Sequence, residues 1–255
     1  MTDRTPQPAT EDSPAAIRRH GLIESVVQKL LARQARVDFV ESLNQKFRLI
    51  TLQGESLKDV DWTPGNKVQI MLGGWVQRTY TPIDWDRADG RTRFLAYLHA
   101  EGPGTHWARS VQVGDSCTIF GPRRSINLEA VRRPAVFCGD ETTFGLASAM
   151  RACVPDEAGI EYLFELSTPS ESLDVLELLG LSNASHCNRR DNDAHMPELE
   201  ARMLELLNSH NPTQFVLSGR SVAIQRLQKL LRQKGYATSQ FHTLAYWAPG
   251  KKGLD

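Results

Sequence analysis

The chain changes texture across residues 130–134, and that change restricts it to folds built from two unlike sheets. Before it, from residue 35 to about 128, short runs rich in β-branched and aromatic residues alternate with breaks. The runs fall at 37–42, 47–52, 67–72, 76–81, 93–98 and 116–120, and the breaks carry Gly54, Pro64-Gly65, Gly73-Gly74, Pro82, Asp89-Gly90, Gly114-Asp115 and Gly121-Pro122. Six strands at this spacing predict a small antiparallel barrel, with a hairpin at Asp89-Gly90. After Pro134 the pattern alternates: strands at 135–138, 161–166, 214–217 and 241–246, and helical stretches at 143–153, 173–179, 198–207 and 222–233. Alternation of this kind argues for a parallel α/β sheet. The fold class read from the sequence is therefore a six-stranded antiparallel barrel followed by a parallel-sheet α/β domain. The expected divisions are a disordered tail over 1–13, a helix over 14–34 capped by Ser13 and started by Pro14, the barrel over 35–130 and the α/β domain over 131–255.

Composition narrows the function. Thirty basic and thirty acidic side chains cancel among 255 residues, so nothing global draws the chain to nucleic acid or an anionic membrane. No apolar run reaches the ~20 residues that span a bilayer, so no membrane insertion is expected. The start of the chain reads as neither a secretory signal nor a transit peptide. Cys117, Cys138, Cys153 and Cys187 lack metal-site spacing and read as reduced thiols in a cytoplasmic protein. A monomer is expected.

Chemistry concentrates in two segments of the first half. In Arg78-Thr79-Tyr80-Thr81, strand alternation turns Arg78 and Tyr80 one way and Thr79 and Thr81 the other. A guanidinium suited to phosphate then lies beside a ring suited to a planar heterocycle, as a flavin would require. About twenty residues on, Gly102-Pro103-Gly104-Thr105-His106-Trp107-Ala108 offers backbone freedom and a hydroxyl for a phosphate. In the second half, Gly139-Asp140-Glu141-Thr142-Thr143 occupies the first strand-to-helix turn of the α/β domain, where its negative charge disfavours a pyrophosphate. It reads equally as an ordinary capped helix start. Ser218-Gly219-Arg220 ends another strand at the carboxyl edge, where α/β folds bind ligands. Arg220 could hold the extra phosphate of NADPH or be a solvated surface residue. His186, Cys187 and His195 lie in a polar stretch whose spacing fits no zinc pattern, and no metal is expected there.

These motifs resemble the siderophore-interacting proteins, cytoplasmic FAD-dependent ferric-siderophore reductases of the ferredoxin–NADP reductase superfamily. The resemblance rests on Arg78-Thr79-Tyr80-Thr81, Gly102-Pro103 before Trp107-Ala108, Gly114-Asp115, Gly121-Pro122, Cys138-Gly139-Asp140-Glu141-Thr142 and Tyr246-Trp247-Ala248-Pro249-Gly250-Lys251. It covers about residues 35–253 and is strongest over 62–125. It implies an FAD-binding barrel and a nicotinamide-binding-like domain, with Arg78 on an FAD phosphate, Tyr80 stacked on the isoalloxazine and Thr81 near the reactive flavin nitrogen. Thr79, His99, Gly102, Thr105 and Trp107 would complete the FAD site, Trp107 being equally readable as core and His99 as structural. Asp140, Thr142, Arg220 and Trp247 would face NADPH or NADH, and Lys251 and Lys252 would attract an anionic ferric siderophore. Such a protein would use NAD(P)H, or a ferredoxin, to reduce chelated Fe(III) and release Fe(II). A flavin reductase serving an electron-transfer protein and a non-catalytic siderophore- or flavin-binding protein are the alternatives.

Overall fold

The computed structural model describes residues 32–73, 76–99, 101–153 and 159–250, and residues 33–255 form one compact unit. The first sheet has seven antiparallel strands rather than six: β1 (Ala32–Ser42), β2 (Phe47–Gln53), β3 (Lys67–Gly73), β4 (Val76–Tyr80), β5 (Pro82–Asp86), β6 (Arg91–Tyr97) and β7 (Ser116–Arg123). The additional strand, β5, begins on the proline that reads as a break. Proline at the first position of a strand forfeits only an edge hydrogen bond, and Ile83 and Trp85 still bury their side chains. The helix expected over 14–34 lies outside the described residues except for its end, where Ala32, Arg33 and Gln34 are strand. Arg33 fastens that strand by donating to the carbonyls of Gly121 (3.0 Å) and Ser56 (2.8 Å).

The strand order is β4-β3-β7-β1-β2-β6-β5. Its two edges, β4 and β5, are consecutive in the chain and separated by Thr81 alone. A one-residue link forces the edges together, so the sheet curls into a half-barrel around Val37, Ile50, Leu52, Val68, Ile70, Phe94 and Ile119. The β5–β6 hairpin turns where expected. Asp86 Oδ1 accepts from the amides of Ala88 and Asp89 (both 3.0 Å), and Gly90 adopts φ 61°.

The second sheet is parallel, β10-β9-β8-β11-β12, made of β8 (Ala135–Asp140), β9 (Ile160–Leu166), β10 (Ser185–Asn188), β11 (Gln214–Arg220) and β12 (Phe241–Trp247). Strand β10 reads as a polar loop in the sequence because it is a short edge strand whose buried residue is Cys187. The first described helix, α1 (Pro103–Ser110), belongs to the barrel; α2 (Phe144–Ala152), α3 (Pro169–Leu178), α4 (Met196–His210) and α5 (Ser221–Gln233) are the crossovers. Residues alternate along β8: Ala135 and Phe137 pack with α2 and α3, Val136 and Cys138 with α4 and α5. The sheet is thus covered on both faces, and its winding reverses between β8 and β11. None of the described helices is long and apolar enough to cross a membrane.

A buried charge network ties the carboxyl ends of the second sheet together. Glu165, at the end of β9, is 1% exposed and receives Arg220 through Nε (2.8 Å) and Nη2 (2.7 Å). His195 Nδ1 accepts from the Arg190 amide (3.2 Å), so its Nε2 carries the proton and donates to Glu165 (2.7 Å). Arg220 Nη1 also binds Asp193. Arg220 is therefore buried and paired, not a solvated surface residue. Burial pushes the Glu165 carboxyl up, but the Arg220 hydrogen bonds and the Arg189 and Arg220 charges outweigh it and hold it below its usual value.

Two outcomes follow for stability. Glu165→Gln leaves Arg220 undercompensated and should lower unfolding free energy by about 3 kcal/mol in urea titrations at neutral pH. Because the folded pKa of Glu165 is depressed, its contribution is complete above the usual glutamate pKa of about 4.3 and fades as pH falls through the folded value. Stability of the variant should accordingly fall less steeply than wild type in that acid range. Gly219, at φ 94°, would place a Cβ 2.5 Å from Asp140 Oδ2. Gly219→Ala should cost about 1–3 kcal/mol, measured the same way, through backbone strain and displacement of that carboxylate.

Candidate functional site

The first group of site residues is assembled by β4 and α1. Strand β4 pairs with β3 so that Arg78 lies opposite Ile70 and Tyr80 opposite Val68, which puts both on the face of the barrel core, as alternation predicts. Thr79 shares the other face with Gln69. The Tyr80 ring is half-buried, with centroids 4.7 Å from Phe94 and 6.1 Å from Trp107. Burial raises its phenol pKa well above the ordinary value, so it remains neutral. Trp107 also stacks near Phe94 (6.2 Å, 15°), so its role is to pack α1 against the barrel and back Tyr80.

Helix α1 begins against Arg78. Gly102 is its N-cap and supplies no side-chain cap, Pro103 opens the first turn, and Thr105 is buried in that turn. A Cβ on Gly104 would lie 3.1 Å from Arg78 Cγ, so the glycine is what lets the arginine stem lie along the helix start. The uncapped amides and the arginine face the same region, and no described carboxylate pairs with Arg78, whose Nη1 donates to the Gln77 carbonyl (2.8 Å). A guanidinium with no carboxylate partner among the described residues, beside an uncapped helix start, is a donor set for phosphate oxygens. The residues present thus fit a dinucleotide flavin: cation, bare amides and hydroxyl for phosphate, aromatic face for the ring.

Thr81 is the seam of the half-barrel, and the α/β domain grips it. Its hydroxyl is in short hydrogen-bond contact with the Tyr246 phenol from β12. Its carbonyl lies 3.1 Å from where a Cβ on Gly145 of α2 would stand, so the glycine permits a close approach of the helix. The Tyr246 contact is a feature the sequence hides, because it joins residues 165 positions apart. His99 is exposed and sits at the end of a ring series: it stacks on Tyr97 (5.2 Å), Tyr97 on Phe47 (4.8 Å) and Phe47 on Phe144 (5.5 Å). Its Nδ1 lies 3.2 Å from the Tyr97 carbonyl, consistent with a structural histidine.

A second group lies at the point where the winding of the parallel sheet reverses. Asp140 is fully buried and caps the turn: its Oδ1 accepts from the Thr142 amide (2.9 Å) and the Thr142 hydroxyl. Its Oδ2 accepts from Trp247 Nε1 (2.8 Å). Burial pushes the Asp140 carboxyl up to about 6, against the opposing pull of the Thr142 hydrogen bond and the Arg189 charge. Glu141 accepts from the amides of Ser167 and Thr168, and Arg189 donates to it at 3.2 Å. The Arg189 guanidinium also lies 5.2 Å from the Trp247 ring centroid. Asp140, Thr142, Arg220 and Trp247 are therefore brought to one edge, but their polar groups are bound to one another or to neighbours. The participation of Glu165 and Arg189 carries no local sequence signal, since each acts through partners on other strands.

Lys251 and Lys252 lie outside the described residues. His186, Cys187 and His195 do not converge: His195 is committed to Glu165, and the described residues contain no cluster of three or more His, Cys, Asp or Glu placed to hold a metal.

Comparison with known proteins agrees with this geometry. Residues 74–126 match the family described as the siderophore-interacting FAD-binding domain. The siderophore-interacting protein SipS from Aeromonas hydrophila superposes with a TM-score of 0.71 at 18% identity, over 87% of this chain and 93% of that one. A siderophore utilization protein from T. fusca superposes with a TM-score of 0.68 at 18% identity, over 88% and 95%. At such identities these matches establish the fold. The toluate 1,2-dioxygenase electron transfer component of Pseudomonas putida is 23% identical over 146 residues, 57% of this chain and 44% of that protein. The chain thus matches less than half the length of that relative. The matched segment contains Arg78, Tyr80, Thr81 and all of α1, so the first group of site residues lies in the part of the chain that is similar to the siderophore-interacting FAD-binding domain.

Proposed function

We propose that the protein is an FAD-dependent oxidoreductase that reduces Fe(III) held by a siderophore and thereby releases Fe(II) in the cytoplasm. The observation that carries this reading is the convergence of Arg78, Tyr80 and the uncapped start of α1 within a matched FAD-binding domain. In this reading Arg78, the amides after Gly102 and the Thr105 hydroxyl hold the pyrophosphate, Tyr80 flanks the ring system, and Thr81 addresses its reactive edge. When bound, FAD would supply the chemistry the residues cannot, coupling a two-electron donor to a one-electron acceptor. Fe(II) then leaves because hard oxygen ligands bind the less charged ion more weakly. The protein needs no iron ligands of its own, since the chelator brings them. Lys251 and Lys252 would draw the anionic chelate by charge.

The electron donor is the open choice within this proposal. NADPH or NADH fits the α/β architecture, which binds ligands where its winding reverses. The self-capped Asp140 turn and the internally paired Arg220 favour a second donor, a ferredoxin-like carrier protein that delivers electrons directly to the flavin. Similarity to a dioxygenase electron transfer component supports carrier-linked chemistry of that kind.

The purified protein should take up FAD and turn yellow. Arg78→Ala should weaken FAD binding roughly 10- to 100-fold, as expected for losing a hydrogen bond to a charged group worth ~1.5–3 kcal/mol. Fluorescence titration measures this directly, and a Tyr80→Ala variant with undiminished affinity would remove Tyr80 from the site. Anaerobic reduction followed by addition of a ferric catecholate siderophore, with a ferrous trap present, should reoxidise the flavin and develop the trap colour. A flavin that no ferric chelate reoxidises would sink the siderophore reading. Bleaching by NADH or NADPH, against bleaching only by a reduced ferredoxin, separates the donors.

A further inference from the structure

We infer that Tyr246 is a positioning residue: its phenol donates to the Thr81 hydroxyl and thereby fixes Thr81 as a hydrogen-bond donor toward the reactive edge of the flavin. The inference rests on the FAD site proposed above. It begins with a count of protons. Among the described residues, the Thr81 hydroxyl is the one hydrogen-bond partner of the Tyr246 phenol, and the phenol is the one partner of that hydroxyl. Two hydroxyls in mutual contact hold two protons and use one between them, so the pair exports a single donor.

The chemistry of the two groups decides which end exports it. A phenol is the stronger acid and better donor, and an aliphatic hydroxyl is the better acceptor. Tyr246 keeps its proton at all ordinary pH values, because burial raises its pKa strongly and the nearby Asp140 charge adds to the effect. Asp140, whose charge acts on the phenol, already receives Thr142 and Trp247. The phenol proton therefore goes to Thr81 Oγ1, and the Thr81 proton is left to point away from the junction. Donation into Thr81 also polarises its own O–H and makes it a stronger donor.

The clamp is rigid as well as polar. Gly145 of α2 closes on the Thr81 carbonyl, and Thr81 is the single residue between the two barrel edges. These contacts hold the Thr81 backbone, and the phenol sets the direction of its hydroxyl. An oxidised flavin presents a bare ring nitrogen that accepts a donor. In the reduced cofactor that nitrogen would carry a hydrogen, which a Thr81 hydroxyl fixed as a donor would oppose. Tyr246 would therefore stabilise the oxidised cofactor relative to the reduced one, making the flavin a stronger reductant for a tightly chelated ferric ion.

The test compares FAD-loaded wild type, Tyr246→Phe, Thr81→Val and the double variant by anaerobic titration against redox dyes. Tyr246→Phe keeps the ring and frees the Thr81 hydroxyl to turn and accept. Its midpoint potential should become less negative, with the reduced-to-oxidised ratio at fixed potential changing about tenfold, roughly 30 mV for a two-electron couple. FAD affinity and melting temperature should stay near wild type, and the flavin absorption bands should move. The double variant should match Thr81→Val, because Tyr246 acts only through that hydroxyl. An FAD-loaded Tyr246→Phe with an unchanged potential overturns the inference, as does an equal shift in the Thr81→Val background. A wild-type protein that takes up no FAD overturns the site itself, and is recognised separately by the absence of flavin absorption.

Discussion

Thr81 is where the architecture closes. The edges of the first sheet are adjacent strands in sequence, so a single residue carries the chain from one to the other and sets the curl of the half-barrel. The second sheet meets the first at that same residue, through the Tyr246 phenol and the backbone of Gly145. The ring series from Tyr97 through Phe47 to Phe144 and Phe164 belongs to one apolar cluster, against which Tyr246 also packs. Residues chemically suited to a flavin thus lie on a joint that is fixed from both sides. A half-barrel alone would leave the Thr81 hydroxyl free to rotate; the α/β domain removes that freedom.

Much of this was legible in the sequence. Arg78 and Tyr80 share a face because strands have a period of two, and no long-range information is needed to say so. Gly104 meets Arg78 as a small residue at a helix start should, whereas a Cβ on Gly102 would meet nothing within 4 Å. The parallel sheet was visible in the alternation after Pro134, with β8, β9, β11 and β12 near their expected places. The failures have physical causes. Strand β5 was hidden by Pro82, which punctuates most strands but here merely begins one. Strand β10 was hidden because an edge strand need bury only one side chain, and its polar residues look like a loop. The contacts Thr81–Tyr246 and Glu165–Arg220 join distant segments and leave no periodic trace.

The two ends of the site differ in how their charges are used. Beside α1, Arg78 has no ionic partner among the described residues, and the helix amides lack a side-chain cap, so positive potential is left for a ligand. At the carboxyl edge of the second sheet, four carboxylates, Asp140, Glu141, Asp193 and Glu165, surround two guanidinium groups, Arg189 and Arg220. At that edge carboxylates outnumber guanidinium groups, and the cations are taken up internally. Its helix-start amide at Thr142 is already filled by the Asp140 carboxylate.

The contrast has a consequence for how electrons would reach the flavin. A dinucleotide pyrophosphate is held best where amides and cations are unpaired, and at this edge both have been turned inward to bind the domain to itself. Displacing Asp140 from its turn would uncap Thr142 and strand the Trp247 indole N–H, costs on the order of 1–3 kcal/mol each for a buried polar group. Binding energy from a pyrophosphate would have to exceed those losses before any net affinity appeared. A donor that touches only the flavin edge faces no such cost. The α/β domain then contributes most by what it does to Thr81: it supplies the phenol that orients the hydroxyl and the glycine that lets the helix approach. Parallel pairing with β11 and the Ser218 hydroxyl bond to the Leu244 carbonyl keep β12, and with it Tyr246, in register.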